Sequence, residues 1–305
     1  MQSRIRQLLT VALFSAVTMT AAAAQEAGAD ATWTSLRPDI FGERAIEEAS
    51  PLVRLTAPKR AEDAAMVPVD VEIVMPEGDP RTISRLTLIV DENPAPLAAT
   101  FTFGGNRRDV ALGTRLRVNS YSYIRAVAET SDGGLHMAER YVKASGGCSA
   151  PAMKDEEAAL NNLGQLKLKS VKADGIGDAS QASRVSQLQL MIRHPNYSGL
   201  QMDPLTRAYI PAKFVDSIKV TQGDELVFSM QGGISLSEDP AIRVSYEPTG
   251  KDIHVDAGDT DGRKFEGELK PREAPAPVGP KARAAPWPTR DPAFSQPQPG
   301  LSGSR

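Results

Sequence analysis

One cysteine, Cys148, stands in the 305-residue sequence, within the run Ala144-Ser145-Gly146-Gly147-Cys148-Ser149-Ala150-Pro151-Ala152. A structural cysteine normally sits among residues that pack around it, and these small residues have little capacity to do so. Gly146 and Gly147 remove side-chain bulk and open backbone angles closed to other residues, so a partner's surface can approach the sulfur. The expectation is an unshielded thiol on a flexible strip. No His, Lys or Arg stands in that run to lower the thiol pKa, so Cys148 does not read as a self-activated nucleophile. A lone cysteine cannot form an intramolecular disulfide. Three roles stay open for it: a covalent attachment site on a carrier, an intermolecular disulfide, and an incidental linker thiol.

The other residues with chemical potential read as structure. His194-Pro195-Asn196-Tyr197 follows an alternating apolar run, which makes a strand-end turn a simpler account than a metal ligand, since no second ligand lies at useful spacing. His136 lies in a strand pattern, and His254 alternates with Ile253 and Val255 and faces solvent or a neighbouring sheet. Asp256, Asp259 and Asp261 lack the twelve-residue pattern of a calcium loop and read as a polar hairpin turn. No nucleophile and base, and no acid and base, can be paired. No catalytic residue, metal or cofactor is expected, and the chain reads as a carrier or binding protein rather than an enzyme.

These residues must be positioned by β structure. Val69, Val71 and Ile73 alternate with Asp70 and Glu72 in a strand from Val67 to Val74 with one wet face. Similar runs recur at Leu86 to Val90, Thr100 to Phe103, Thr114 to Val118, Tyr123 to Ala128 and His136 to Val142. After the cysteine strip they resume at Gln187 to Ile192, Glu225 to Met230, Ile242 to Tyr246, Ile253 to Asp256 and Lys264 to Leu269. Turn clusters such as Asp91-Glu92-Asn93-Pro94 and Asp132-Gly133-Gly134 separate them. Short, regularly spaced strands without intervening helices predict antiparallel sandwiches. Short helices are expected from Leu36 to Glu48 and from Asp155 to Asn162.

Composition sets the outer limits. There are 35 basic and 38 acidic residues, a formal charge of -3, so no basic field exists to hold a nucleic acid. Arg4 and Arg6, the apolar run Leu8 to Val17 and the small residues Ala21 to Ala24 form a secretory signal, with cleavage expected near Ala24. No later stretch is long and apolar enough for a membrane helix. The last 35 residues, Pro271 to Arg305, hold 9 of the 23 prolines and show no period, the composition of a disordered tail.

Two sets of residues resemble a known pair of proteins. Ala61 to Val69, Asp91-Glu92-Asn93-Pro94 and Ser145-Gly146-Gly147-Cys148 resemble the SoxY subunit of the sulfur-oxidation carrier. His194-Pro195 to Gly199-Leu200, Ile210-Pro211-Ala212, Gly233-Ile234-Ser235 and Asp239-Pro240 resemble its partner SoxZ. The fused order is similar to the SoxYZ-like carriers associated with quinoprotein dehydrogenases. The resemblance implies an all-β protein of two immunoglobulin-like antiparallel β-sandwiches joined by a flexible cysteine-bearing linker. Its expected layout is a signal peptide at 1–24, a SoxY-like sandwich at 33–143, a Gly-Gly-Cys arm at 144–154, a SoxZ-like sandwich at 160–270 and a tail at 271–305.

The function it implies is that of a periplasmic carrier in thiosulfate oxidation or a related process. Cys148 would hold a sulfur-containing or other thiol-bound small-molecule cargo, Gly146 and Gly147 would let the arm swing, and partner oxidoreductases would do the chemistry. Those partners would be Sox-type enzymes, or a quinoprotein dehydrogenase and its cytochrome. The alternative is a thiol-independent periplasmic adaptor that binds the dehydrogenase or cytochrome. In the carrier family the arm ends the chain, whereas here Ser149-Ala150-Pro151 follow and tether the cysteine on both sides.

Overall fold

Alternation of apolar and polar side chains builds this molecule strand by strand. Val67, Val69, Val71 and Ile73 are buried while Pro68, Asp70 and Val74 at alternate positions are exposed, as a period of two requires when one face of a sheet is covered. The structure, a computed structural model, describes residues 31–151, 161–172 and 185–271. The expected signal segment, most of the expected helix from Asp155 to Asn162, and the tail after Pro271 lie outside the described residues.

A helix, α1, over residues 31–41 precedes the strands. The first half then contributes β1 (Ile46–Glu47), β2 (Val53–Thr56), β3 (Val67–Val74), β4 (Ile83–Val90), β5 (Leu97–Phe103), β6 (Asp109–Leu116), β7 (Ser122–Thr130) and β8 (Leu135–Val142). The second half contributes β9 (Leu166–Lys172), β10 (Ser186–Ile192), β11 (Val215–Gln222), β12 (Glu225–Gly232), β13 (Ala241–Tyr246), β14 (Ile253–Asp259) and β15 (Lys264–Leu269). They form two sheets, ordered β1-β8-β7-β4-β5-β12-β11-β14-β15 and β2-β3-β6-β13-β10-β9. The fold is all-β and of the immunoglobulin-like sandwich type, as expected.

The halves are joined by more than a linker. In the larger sheet β5 pairs antiparallel with β12, from Phe103 opposite Phe228 to Ala99 opposite Gly232, and in the smaller sheet β6 pairs with β13. Each sheet therefore runs unbroken from one half into the other. Apolar residues of both halves and both sheets, among them Leu86, Phe101, Leu116, Leu190, Phe228 and Val244, belong to one continuous core. Phe101 and Phe228 meet at the seam with ring centroids 6.1 Å apart. Joining edge to edge in both sheets also covers four strand edges, those of β5, β12, β6 and β13, that would otherwise be open to pairing with other chains.

The expected helix from Leu36 to Glu48 is displaced. The helix is already formed at residue 31 and ends at Gly42, whose φ of 64° is the left-handed conformation that closes a helix, and Ile46–Glu47 is a strand. The helix covers the outer face of the larger sheet, where Trp33 packs with Ile89, Val127, Leu135 and Met137. No helix among the described residues is long and apolar enough to cross a membrane.

Candidate functional site

Cys148 lies at the seam between the halves, and its surroundings differ from the expectation. The residue is 0% exposed. The strip is docked as far as it is described: the Gly146 N–H donates to the Asn119 carbonyl at 2.8 Å and the Gly147 N–H to that of Val118 at 3.0 Å. Gly146, at φ 79°, turns the chain so that the Ser149 N–H reaches the Gly146 carbonyl at 3.2 Å. Gly147 is so close to the body that a Cβ there would stand 2.1 Å from the Ala64 carbonyl oxygen. The two glycines thus let the backbone sink into the seam and take the sulfur with it. That is why the thiol is shielded here and not bare.

Both halves build the cradle around the strip. Arg117, just after β6, donates from Nη1 to the Gly147 carbonyl at 3.1 Å and from Nη2 to the Asn196 carbonyl at 3.2 Å, linking the strip to the second half. The Ser198 hydroxyl donates to the Cys148 carbonyl. The Arg117 backbone is held in turn: its N–H donates to the Ser235 carbonyl at 2.8 Å, and its carbonyl accepts from Asn93 Nδ2 at 2.7 Å. Asn93 also donates to Ser235 Oγ at 2.8 Å and accepts from the Asn119 N–H at 2.8 Å. A buried polar network with this many mutual bonds fixes position strongly.

The turn at residues 194–198 that carries Asn196 and Ser198 is anchored from behind. His194 Nδ1 accepts from the Asn196 N–H at 3.0 Å, which leaves Nε2 to carry the proton and face Asp259 Oδ2 at 3.4 Å. Asp259 in turn accepts from the N–H groups of Asp261 and Arg263 at 3.0 and 2.9 Å, closing the hairpin turn expected there. His194 is therefore the strand-end turn residue that the sequence implied. His136 lies in β8, buried, with Nδ1 bonded to Glu47 at 2.6 Å, and His254 is exposed on β14. No group of three or more potential metal ligands gathers among the described residues.

Electrostatics follow from burial. Desolvation pushes the Cys148 thiol up from 9.0 to about 11, outweighing the opposing pull of the Arg117 charge. Arg117 is held below its ordinary value, chiefly by its own burial. Burial also lowers His194, against the opposing influence of Asp259. In the docked position the sulfur is a neutral thiol, and among the described residues no base is hydrogen-bonded to it, so it does not read as a self-activated nucleophile. Arg117, Asn196 and Ser198 were not singled out from the sequence. A basic residue between Leu116 and Val118, inside a strand pattern, was the available signal for Arg117.

Two matches to protein families bear on what this seam does. Residues 37–148 match the family described as Sulfur oxidation protein SoxY, and residues 176–270 match the family described as Sulphur oxidation protein SoxZ. The two lie in tandem, span well over half of the chain, and the first ends on Cys148 itself. The chain belongs to the SoxYZ-like family, in its fused form. SoxYZ proteins are sulfur carriers and not catalysts, and the carrier role extends to interaction with Sox enzymes.

Solved structures similar to this SoxYZ-like chain include the sulfur carrier protein SoxY from Chlorobium limicola f thiosulfatophilum. It is 24% identical over 40% of this chain and 98% of that one, with a TM-score of 0.32. A superoxide reductase (neelaredoxin) from Ignicoccus hospitalis is 18% identical over 34% of this chain and 97% of its own, with a TM-score of 0.28. A beta-glycosidase from Bacteroides vulgatus is 10% identical over 72% of this chain and 24% of its own, with a TM-score of 0.22. No curated protein matches the chain.

Proposed function

We propose that this SoxYZ-like chain is a periplasmic covalent carrier in which Cys148 holds a sulfur-containing or other thiol-bound group and presents it to partner oxidoreductases. The observation that carries the reading is that the SoxY match ends on Cys148, the chain's single cysteine, which is borne on a Gly-Gly strip between the halves. The strip is held mainly by backbone hydrogen bonds and two side chains, Arg117 and Ser198, a set of contacts small enough to open. Once undocked, about five residues on either side of the sulfur allow a reach of roughly 16 Å at the extended-chain limit. The sulfur is then presented on a loop and not on a free end.

The partners in this reading are Sox-type enzymes, or a quinoprotein dehydrogenase with its cytochrome. Export is supported by the positive start, apolar centre and small residues of the first 24 positions. Intact mass of protein taken from the periplasm, before and after reductant, tests the function. A reductant-labile mass increase confined to Cys148 and absent in Cys148→Ser is expected.

The complete burial of the thiol favours a second reading, a thiol-independent adaptor in which the docked strip is a structural joint. A host in which Cys148→Ser is harmless while deletion of the whole protein is not would establish the adaptor and overturn the carrier.

A further inference from the structure

The end of the molecule away from Cys148 carries a cleft. The chain leaves β5 at Phe103, crosses from the larger sheet to the smaller through Gly104-Gly105-Asn106 and enters β6 at Asp109, whereas Arg117 and the cysteine strip lie past the other end of β6. At roughly 3.3 Å per strand residue the two ends are about 30 Å apart. The cleft at the far end has a volume of about 390 Å³. Its walls come from both halves, Asn106 and Arg107 from the first and Leu226, Tyr246, Glu247 and Thr249 from the second. Small-molecule sites of this size are largely preformed and combine an apolar lining with a few placed polar groups.

These walls are held in place. Gly104 lies so close to β12 that a Cβ there would stand 2.1 Å from the Leu226 carbonyl oxygen. Gln222, buried, fixes the rim in the orientation that satisfies its amide: it donates to the Glu247 carbonyl at 3.0 Å and accepts from the Thr249 N–H at 2.8 Å. The Tyr246 hydroxyl is engaged with Ser170 Oγ at 2.7 Å, which holds the ring as an apolar wall.

The charged side chains that line the cleft are Arg107, Glu225 and Glu247. Arg107 donates from Nη1 to the Ser245 carbonyl at 2.6 Å and from Nη2 to the Val227 carbonyl at 3.3 Å, both neutral acceptors. Among the described residues no carboxylate is ion-paired with it, and burial holds it below its ordinary value against the pull of Glu247. Glu247 has no ion pair among the described residues, and Glu225 has only the exposed Lys251 at 3.6 Å, a contact of little strength. A desolvated cation needs an anion. An anion alone would meet the two carboxylates, and a metal cation would meet the guanidinium. A molecule carrying both signs suits all three.

We propose that the cleft binds a small zwitterion of amino-acid or dipeptide size, with its acid group on Arg107, its ammonium on Glu225 and Glu247, and its carbon skeleton against Leu226 and Tyr246. The guanidinium has further N–H donors beyond the two in use, and their planar arrangement suits a carboxylate. Because such a ligand touches both halves of the folded chain, its binding stabilises their union by mass action. The site is independent of the carrier reading of Cys148.

Titration calorimetry and thermal unfolding of the full chain test the site with three probes. L-alanyl-L-alanine carries both charges at neutral pH, N-acetyl-L-alanyl-L-alanine keeps only the acid, and L-alanyl-L-alaninamide keeps only the amine. The dipeptide is expected to bind about tenfold more tightly than either blocked form, the effect of one charge-assisted hydrogen bond, and to raise the unfolding midpoint. The double variant Glu225→Gln, Glu247→Gln changes two exposed side chains and should bring the dipeptide down to the affinity of the acetylated form. Arg107→Gln should bring it down to that of the amide. If loss of the two carbonyl bonds unfolds that variant, the double variant decides the question. Absence of both heat and a midpoint shift with the dipeptide at millimolar concentration, equal affinity for the three probes, or a double variant that keeps the parent's preference overturns the proposal.

Discussion

Replacing Gly147 with alanine should turn Cys148 from a protected thiol into a reactive one. The added Cβ would stand 2.1 Å from the Ala64 carbonyl oxygen and 2.7 Å from that of Val118. Both are backbone atoms, and they are tied together, since the Val118 N–H donates to the Ala64 carbonyl at 2.8 Å. Neither can move aside as a flexible side chain would, so the strip must leave. In the docked state burial lifts the thiol from 9.0 to about 11, and each unit is a factor of ten in thiolate at a given pH below both values. Release should therefore raise the rate of alkylation by an uncharged reagent about a hundredfold near neutral pH, before any gain from steric access. The pH profile gives a second readout. The docked state prefers the neutral thiol, so docking keeps its full stability below the free value of 9.0 and loses it as pH rises through about 11. The parent rate should go on climbing across that window, while the alanine variant levels off near 9.0. Iodoacetamide time courses read by intact mass supply both measurements. Equal rates in parent and variant near neutral pH, or a parent profile that levels with the variant's, would refute the docked strip.

Two further outcomes follow from the seam. Phe228→Ala removes a fully buried ring that packs on Phe101 where β12 meets β5, and should cost about 3–5 kcal/mol in urea denaturation with a single transition. Two separate transitions in the parent protein would mean that the halves do not share a core. Burial lowers His194 in the fold, so between its ordinary 6.5 and the lower folded value the unfolded chain binds the extra proton. Stability should therefore fall as pH drops below 6.5, and His194→Gln should flatten that loss. An identical acid limb in thermal melts of parent and variant would show that the turn does not depend on the neutral imidazole.

Most of the strands were legible because one face of each is covered. The run from Val67 to Val74 was bounded correctly by alternation alone, and the later runs lay inside the observed strands or overlapped them. What escaped were short or weakly patterned strands. In β2 only Val53 and Leu55 point inward, and the four residues of Val53–Thr56 are too few for a period to stand out. In β9, only Leu166 and Leu168 alternate with lysines, at the end of the smaller sheet, and two apolar residues do not make a period stand out. That the halves associate is what the resemblance implies, but which of their edges meet was invisible for a different reason. Pairing of β5 with β12 and of β6 with β13 depends on which edges meet, and the period of a strand carries no information about its neighbour.

The seam itself was present in the sequence as fragments with no common meaning. Ala64, Asn93 and Cys148 belong to the SoxY-like stretches, and His194, Ser235 and Asp239 to the SoxZ-like ones, separated by up to 175 positions. In the structure they converge. Ala64 lends the carbonyl that Gly147 grazes, Asn93 bonds both Arg117 and Ser235, and Asp239 accepts from the His194 N–H at 3.1 Å, bracing the turn that holds the Cys148 carbonyl. Reading the glycines locally gave the wrong exposure, because a residue without a side chain permits either a bare strip or a deeply seated one. Which of the two occurs is decided by the surface opposite. Here that surface is drawn from both halves, so a strip tethered at each end is seated only where the two sandwiches have already met. Assembly of the seam and protection of the thiol are therefore one event, and a substitution that weakens the pairing of β5 with β12 should also expose Cys148.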